Sequence, residues 1–204
     1  MQHADLRAYL KKLPDFEDVE AEDWAMRHAL GFRNFSAALY FFHQWPDPAH
    51  AAQLVLDRAS EIDGNAYYLL DPVARQIEGK HPLAATLLRR AMIDDTLEGA
   101  KSSRYKHAAR HLLECQSLAT MIRDYGTFET DEAFTSRLRA SHARKTGFWK
   151  QVAEVSGRGP INFGHFAQLC QRVAWRRKRQ VSPHSPLMIR RRGRSSGIQG
   201  RAFG

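Results

Sequence analysis

The stretch HPLAATLLRRAMIDDTLEGAKSSRYKHAARHLLECQSLA, residues 81–119, decides the fold. It opens on His81-Pro82, and proline suits the first position of a helix, where its missing N–H would have had no intrahelical acceptor. Leu83, Ala84, Leu87, Leu88 and Ala91 then recur at helical spacing, which predicts a helix over about 82–98. After a turn near 99–102, Tyr105, Ala108, Leu112, Cys115, Ala119 and Ile122 mark the apolar face of a second helix over about 103–123. So short a connection makes the two helices antiparallel neighbours.

The same grammar extends outward. Residues 3–12 and 17–30 carry apolar positions at helical spacing on either side of Pro14. Asn34 is a good N-cap for a helix with Phe35, Ala38, Leu39 and Phe42 on one face. In WPDP, 45–48, Asp47 caps a further helix whose stripe is Ala51, Leu54, Val55, Ala59 and Ile62. Asp63-Gly64 turns the chain into a helix over about 66–78, and Thr130-Asp131 begins a last body helix ending near Gly147, followed by Phe148-Trp149. Period-2 alternation is missing, so the fold class is all-α. Pro48/Pro82, Ala51/Ala85, Leu54/Leu88 and Ala74/Ala108 repeat at an offset of 34, typical of two-helix units. The expected architecture is antiparallel helical hairpins in a short solenoid-like, tetratricopeptide-like array, although the strict tetratricopeptide consensus does not fit.

The net charge of +9 conceals a division. Residues 1–155 hold 20 Lys and Arg against 22 Asp and Glu, whereas 156–204 hold 11 Lys and Arg and no acid. The reading is a near-neutral helical domain, 1–155, and a basic tail, 156–204. Within the tail, 161–179 has the pattern of an amphipathic helix with Phe163, Phe166, Ala167, Cys170, Val173 and Ala174 on one face, and the Pro-, Ser-, Gly- and Arg-rich stretch from Ser182 is expected to be disordered. No apolar run approaches the ~20 residues of a membrane span. The N-terminal residues lack an export pattern, and Cys115 and Cys170 form no framework, so the expected location is cytoplasmic.

His107, His111 and Cys115 stand four residues apart, a spacing shared by metal ligands and by ordinary helix packing. Cys115 falls within the apolar face, as a small hydrophobe would. Asp94, Asp95 and Glu98 fall on the stripe of the preceding helix and need partners. Antiparallel pairing brings Glu98 toward Arg104, Asp95 toward His107 and Ala91 toward His111. The expected arrangement is a structural polar clasp of Asp94, Asp95, Glu98, Arg104 and His107. A metal site using Asp94 or Asp95 with His107 and His111 is the competing reading, and an acid–base pair a third. No nucleophile motif, phosphate loop or Cys-x-x-Cys accompanies them, so no catalytic residue, cofactor or metal is assigned. SHARKTGFW, 141–149, reads as a helix end followed by core aromatics, or alternatively as a recognition patch. LYFFHQW, 39–45, reads as core, and Tyr67 and Tyr68 as half-buried packing residues rather than the lining of a groove.

In the tail, Arg176, Arg177, Lys178, Arg179, Arg190, Arg191, Arg192 and Arg194 could neutralise phosphates of a nucleic acid or meet an anionic membrane surface. The abrupt shift in composition after Val155 also fits a stretch without selected function.

Residues 81–119, with SHARKTGFW further on, resemble an uncharacterised bacterial all-helical family, the similarity running from about 3 to 155. The resemblance implies a tetratricopeptide-like chain of which this would be the C-terminal part. Some similar proteins carry an upstream SWIM-type zinc-binding motif; its cysteine/histidine set is missing from this sequence, so zinc is not carried over. The expected function is a non-enzymatic helical interaction module with an unidentified protein partner. The alternative is a nucleic-acid-associated protein anchored by its tail.

Overall fold

Residues 3–14, 16–45 and 47–157 are described by a computed structural model, and within them nine α-helices and no strand occur. The helices are α1 (His3–Leu10), α2 (Glu17–Leu30), α3 (Phe35–Gln44), α4 (Pro48–Asp57), α5 (Tyr67–Ile77), α6 (Pro82–Glu98), α7 (Tyr105–Ala119), α8 (Asp131–His142) and α9 (Thr146–Ser156). The tail helix expected at 161–179, the disorder expected beyond it and the tail cations from Arg176 to Arg194 lie outside the described residues. No described helix is long and apolar enough to cross a membrane.

Local chemistry sets the helix starts. Asn34 accepts from the Ala37 N–H at 2.9 Å, Asp47 from Ala49 and His50 at 3.1 and 3.0 Å, and Thr130 from Ala133 at 3.2 Å. Each satisfies N–H groups that a helix leaves free at its first turn. Acids at the start of α2 and Arg27 and His28 at its end complement the helix dipole.

Three boundaries differ from the sequence expectation. α4 stops at Asp57, and Ala59–Glu61 form a separate 3-10 turn, so Ile62 packs against the first core from beyond the helix. The helix after the turn begins as a 3-10 turn, Ser102–Arg104, and closes at Ala119 rather than near 123. The helix beginning at Asp131 ends at His142, and Phe148 and Trp149 belong to a further helix, α9. Gly147 is therefore no terminator. A Cβ there would stand 3.6 Å from the Tyr105 ring, an ordinary van der Waals distance, so the position faces α7 without requiring glycine. Phe148 is buried in that contact, edge-on to Tyr105 at 6.0 Å.

Two apolar cores share α6. In the first, Leu39 and Phe42 of α3, Leu54 and Val55 of α4 and Leu70, Val73 and Ile77 of α5 meet Ala85, Leu88 and Met92. In the second, Ile93 and Leu97 meet Leu112 and Cys115 of α7, Phe134 and Leu138 of α8 and Phe148 of α9. Each of the Val, Leu, Ile, Phe and Met side chains among them contributes roughly 1.5–3 kcal/mol by leaving water. Ten of the seventeen residues of α6 are buried, including Thr86, Arg89, Arg90 and Thr96, so it is wrapped rather than laid on one face. Pro48 and Pro82, the sequence echo, open α4 and α6, and Ala74 and Ala108 are buried in α5 and α7.

Two turns fix the approach to α6. At Gly64 a Cβ would sit 2.1 Å from the Ala91 carbonyl oxygen, a distance only glycine permits. At the other end Ala100 adopts a left-handed φ of 49°, and the Lys101 N–H closes the helix onto the Thr96 carbonyl at 3.0 Å.

Candidate functional site

The carboxylates of the expected clasp separate. Asp94 pairs with Arg137 of α8, 3.0 Å away, and Asp95 with Lys101 at 2.8 Å and more loosely with Arg104 at 3.7 Å. Asp94 and Asp95 are side chains at the margin of the buried surface, 27% and 23% exposed, and Glu98 is exposed. His107 is exposed as well and has no ion-pair partner among the described residues. The placement of His107 against Asp95 is thus corrected: Lys101 in the turn reaches that carboxylate first. Nor do Asp94, Asp95, His107 and His111 gather around a point. Among the described residues no three His, Cys, Asp or Glu side chains stand as an ion would require.

A different polar group occupies the interior. Arg89, 1% exposed, lies between Glu78 at the end of α5 and Glu114 of α7, forming ion pairs with both, the latter at 2.8 Å. Buried His111 shares Glu114 through Nδ1 at 3.0 Å. Desolvation works to raise the Glu114 pKa, but the hydrogen bond from His111 and the charge of Arg89 overcome it and hold the carboxyl at about 2. Arg89 in turn has its pKa raised: desolvation opposes its charge, and Glu114 and Glu78 outweigh that cost. Next to it, Arg90 turns the other way, donating to the Glu129 carbonyl at 2.6 Å and lying over the Phe134 ring at 4.6 Å. Cys115 is fully buried and desolvation pushes its thiol up to about 12, so it is not a nucleophile.

The open site lies beside this network. α5 and α7 both pack along α6, and between them runs a cleft of about 530 Å³. Met92 and Thr96 of α6 contribute to its lining; Tyr67, Tyr68, Asp71, Pro72 and Arg75 come from α5, and Arg104, His107, Arg110 and His111 from the turn and α7. Its volume is that of a small-ligand or side-chain pocket. Tyr67 and Tyr68 are 52% and 74% exposed and meet edge to face at 6.3 Å. The Arg104 guanidinium stacks on Tyr67 at 4.4 Å. Arg75 is held by Asp71 at 2.8 Å. Arg110 stands 3.9 Å from Asp71 and 3.5 Å from Glu114, and its Nε makes no hydrogen bond among the described residues. Desolvation, then the cations Arg110, His111 and Lys106, keep His107 below the usual imidazole range, despite Asp71.

The reading of Tyr67 and Tyr68 as half-buried packing residues is therefore corrected. The signal was present: Leu69, Leu70, Val73, Ala74 and Ile77 already complete the buried stripe of α5, leaving the two tyrosines outside it. Arg89 with Glu78 and Glu114 could not be found by spacing, because their meeting depends on how three helices pack.

A family model described as a family of unknown function, DUF6880, matches residues 1–151. The chain belongs to the DUF6880 family. The match spans the helices from α1 into α9, so both the buried network and the cleft of this DUF6880 chain lie within it. No curated protein and no solved structure matches the chain.

Proposed function

We propose that the helical body is a non-enzymatic interaction module, stacked in a solenoid-like way, that presents the α5–α7 cleft to a protein partner in the cytoplasm. The observation that carries the reading is the pair of exposed tyrosines set over the cleft. Large aromatic rings left in water beside arginines are the composition of an interface centre, where Tyr and Arg supply most of the binding energy. The buried charges argue the same way. Arg89, Glu78, Glu114 and His111 are engaged with one another, and Cys115 is an inert packing thiol.

The test is a photo-cross-linker, p-benzoylphenylalanine, in place of Tyr68 in the full chain inside the producing cell. One protein should cross-link from position 68 and not from the exposed Tyr40 of α3, and should then bind the purified chain in a defined ratio. Equal cross-linking from both positions, or from neither, would overturn the reading.

A second reading rests on a separate observation, the 11 Lys and Arg without an acid in residues 156–204. It makes the tail a phosphate-binding anchor. Anisotropy of a labelled duplex and an RNA strand would show tight binding by full-length protein, falling steeply with salt and missing from residues 1–155. Binding indifferent to salt would reject it.

A further inference from the structure

We propose that the α5–α7 cleft binds an acidic segment of the partner that also carries an aromatic side chain, the carboxylates meeting Arg104 and Arg110 and the ring packing on Tyr67 and Tyr68. This rests on the interaction-module reading and gives its ligand a chemistry.

Charge comes first. Three arginines and one carboxylate, Asp71, line the cleft, and Asp71 is taken at short range by Arg75 alone. Arg104 donates from one nitrogen to the Asn65 side chain at 3.2 Å, but its carboxylate contact is weak, because Lys101 already occupies Asp95 at 2.8 Å and leaves Arg104 at 3.7 Å. Arg110 has its ion contacts at 3.5 Å or more. Two guanidinium groups with unspent donors favour a carboxylate, which they can grip through paired N–H groups. The aromatic surface comes next. Arg104 already lies on Tyr67, so a carboxylate drawn to that guanidinium brings its neighbouring side chain against the tyrosine pair. The third feature is the backbone. Pro72 lies within α5 and lines the cleft, and having no N–H it deprives the Tyr68 carbonyl of its i+4 donor. A peptide N–H can supply that donor.

The observations favour a peptide over a nucleic acid. A strand of phosphates needs a basic groove to follow, whereas residues 1–155 have two more acids than cations and the cations here face a bounded cleft. A short segment with one or two carboxylates uses them without crossing the rest of the surface.

The experiment titrates the full chain with a fluorescein-labelled Gly/Ser peptide carrying Glu-Phe pairs. It compares wild type with Tyr68→Ala and Arg104→Gln, both checked for folding by circular dichroism. The variants keep every C-terminal cation, so the difference between chains isolates the cleft. Each variant should weaken binding by about two- to tenfold, the range expected for one aromatic contact or one solvent-exposed ion pair. The same peptide with Gln in place of Glu should bind weakly to all three. Backbone amide shifts should be concentrated at Tyr67, Tyr68 and Arg104. Equal binding by wild type and both variants would overturn the proposal, as would equal affinity for the Glu and Gln peptides. Preference of the cleft for adenosine monophosphate or an oligonucleotide would overturn it in favour of a phosphate ligand. A partner that cross-links from position 68 but lacks acidic segments would sink this chemistry and leave the module reading standing; loss of that cross-link would sink the module itself.

Discussion

Arg89 and Arg104 belong to the same group of helices, α5 to α7 with the turn before α7, and are treated in opposite ways. Arg89 lies between Glu78 and Glu114 and is closed off from water, its charge matched within the chain. Arg104 reaches over an exposed ring, with its carboxylate neighbour already taken by Lys101. Both regions draw on arginine, histidine and carboxylate, so composition does not separate them. Closure does. His111 touches both, bonding Glu114 inward and lining the cleft outward.

The largest test of this contrast removes the enclosed cation. Arg89→Ala takes from Glu78 and Glu114 the cation they share, leaving Glu114 with His111 and the looser Arg110, and should cost about 3–5 kcal/mol in urea unfolding. A loss below about 1 kcal/mol would mean the interior pair is solvated and the contrast is false. Acid should act next. The Glu114 carboxyl titrates at about 2 in the folded chain, below its usual value of 4.5. A lowered folded pKa stabilises above the unfolded value, so this contribution is whole above about pH 4.5 and fades as pH falls toward about 2. Its size is about 3 kcal/mol. In Glu114→Gln the stability curve should lose that part of its slope; an unchanged curve would assign the acid sensitivity to another group.

Gly64→Ala probes the wall of the cleft, where the turn before α5 lies against α6. Its Cβ would strike the Ala91 carbonyl at 2.1 Å, pushing the start of α5 away from α6. The expected loss is about 1–3 kcal/mol, read from thermal unfolding. Tyr68→Ala and His107→Ala should do least, within about 0.5 kcal/mol, since both residues are exposed. A loss above about 1 kcal/mol for His107 would restore it to a structural clasp and make the cleft part of the framework.

How much of this was legible depends on the range of the interaction. Asn34 and Asp47 were readable as caps, and Thr130 as a helix start, because a cap needs only the next three residues. The 81–119 hairpin was readable because Pro82 starts it and a short turn reverses it. The phase of α6 was not. A helix buried all round has no single stripe, and Arg89 and Arg90 count as polar until their partners arrive from α5, α7 and the segment before α8. α9 was missed because glycine is ambiguous: Gly147 looks like a stop and stands in the first turn of the next helix, facing the Tyr105 ring.

One consequence follows from α6 for how the body comes apart. Leu88 and Met92 belong to one core, and Ile93 and Leu97, beginning at the very next residue, belong to the other. Neither half can melt while keeping this helix in place for its neighbour, so heat or denaturant should dismantle residues 3–157 in a single cooperative step. A protease cut between α6 and α7 would then yield no durable half, and evolution could not trade one core for another without rebuilding both.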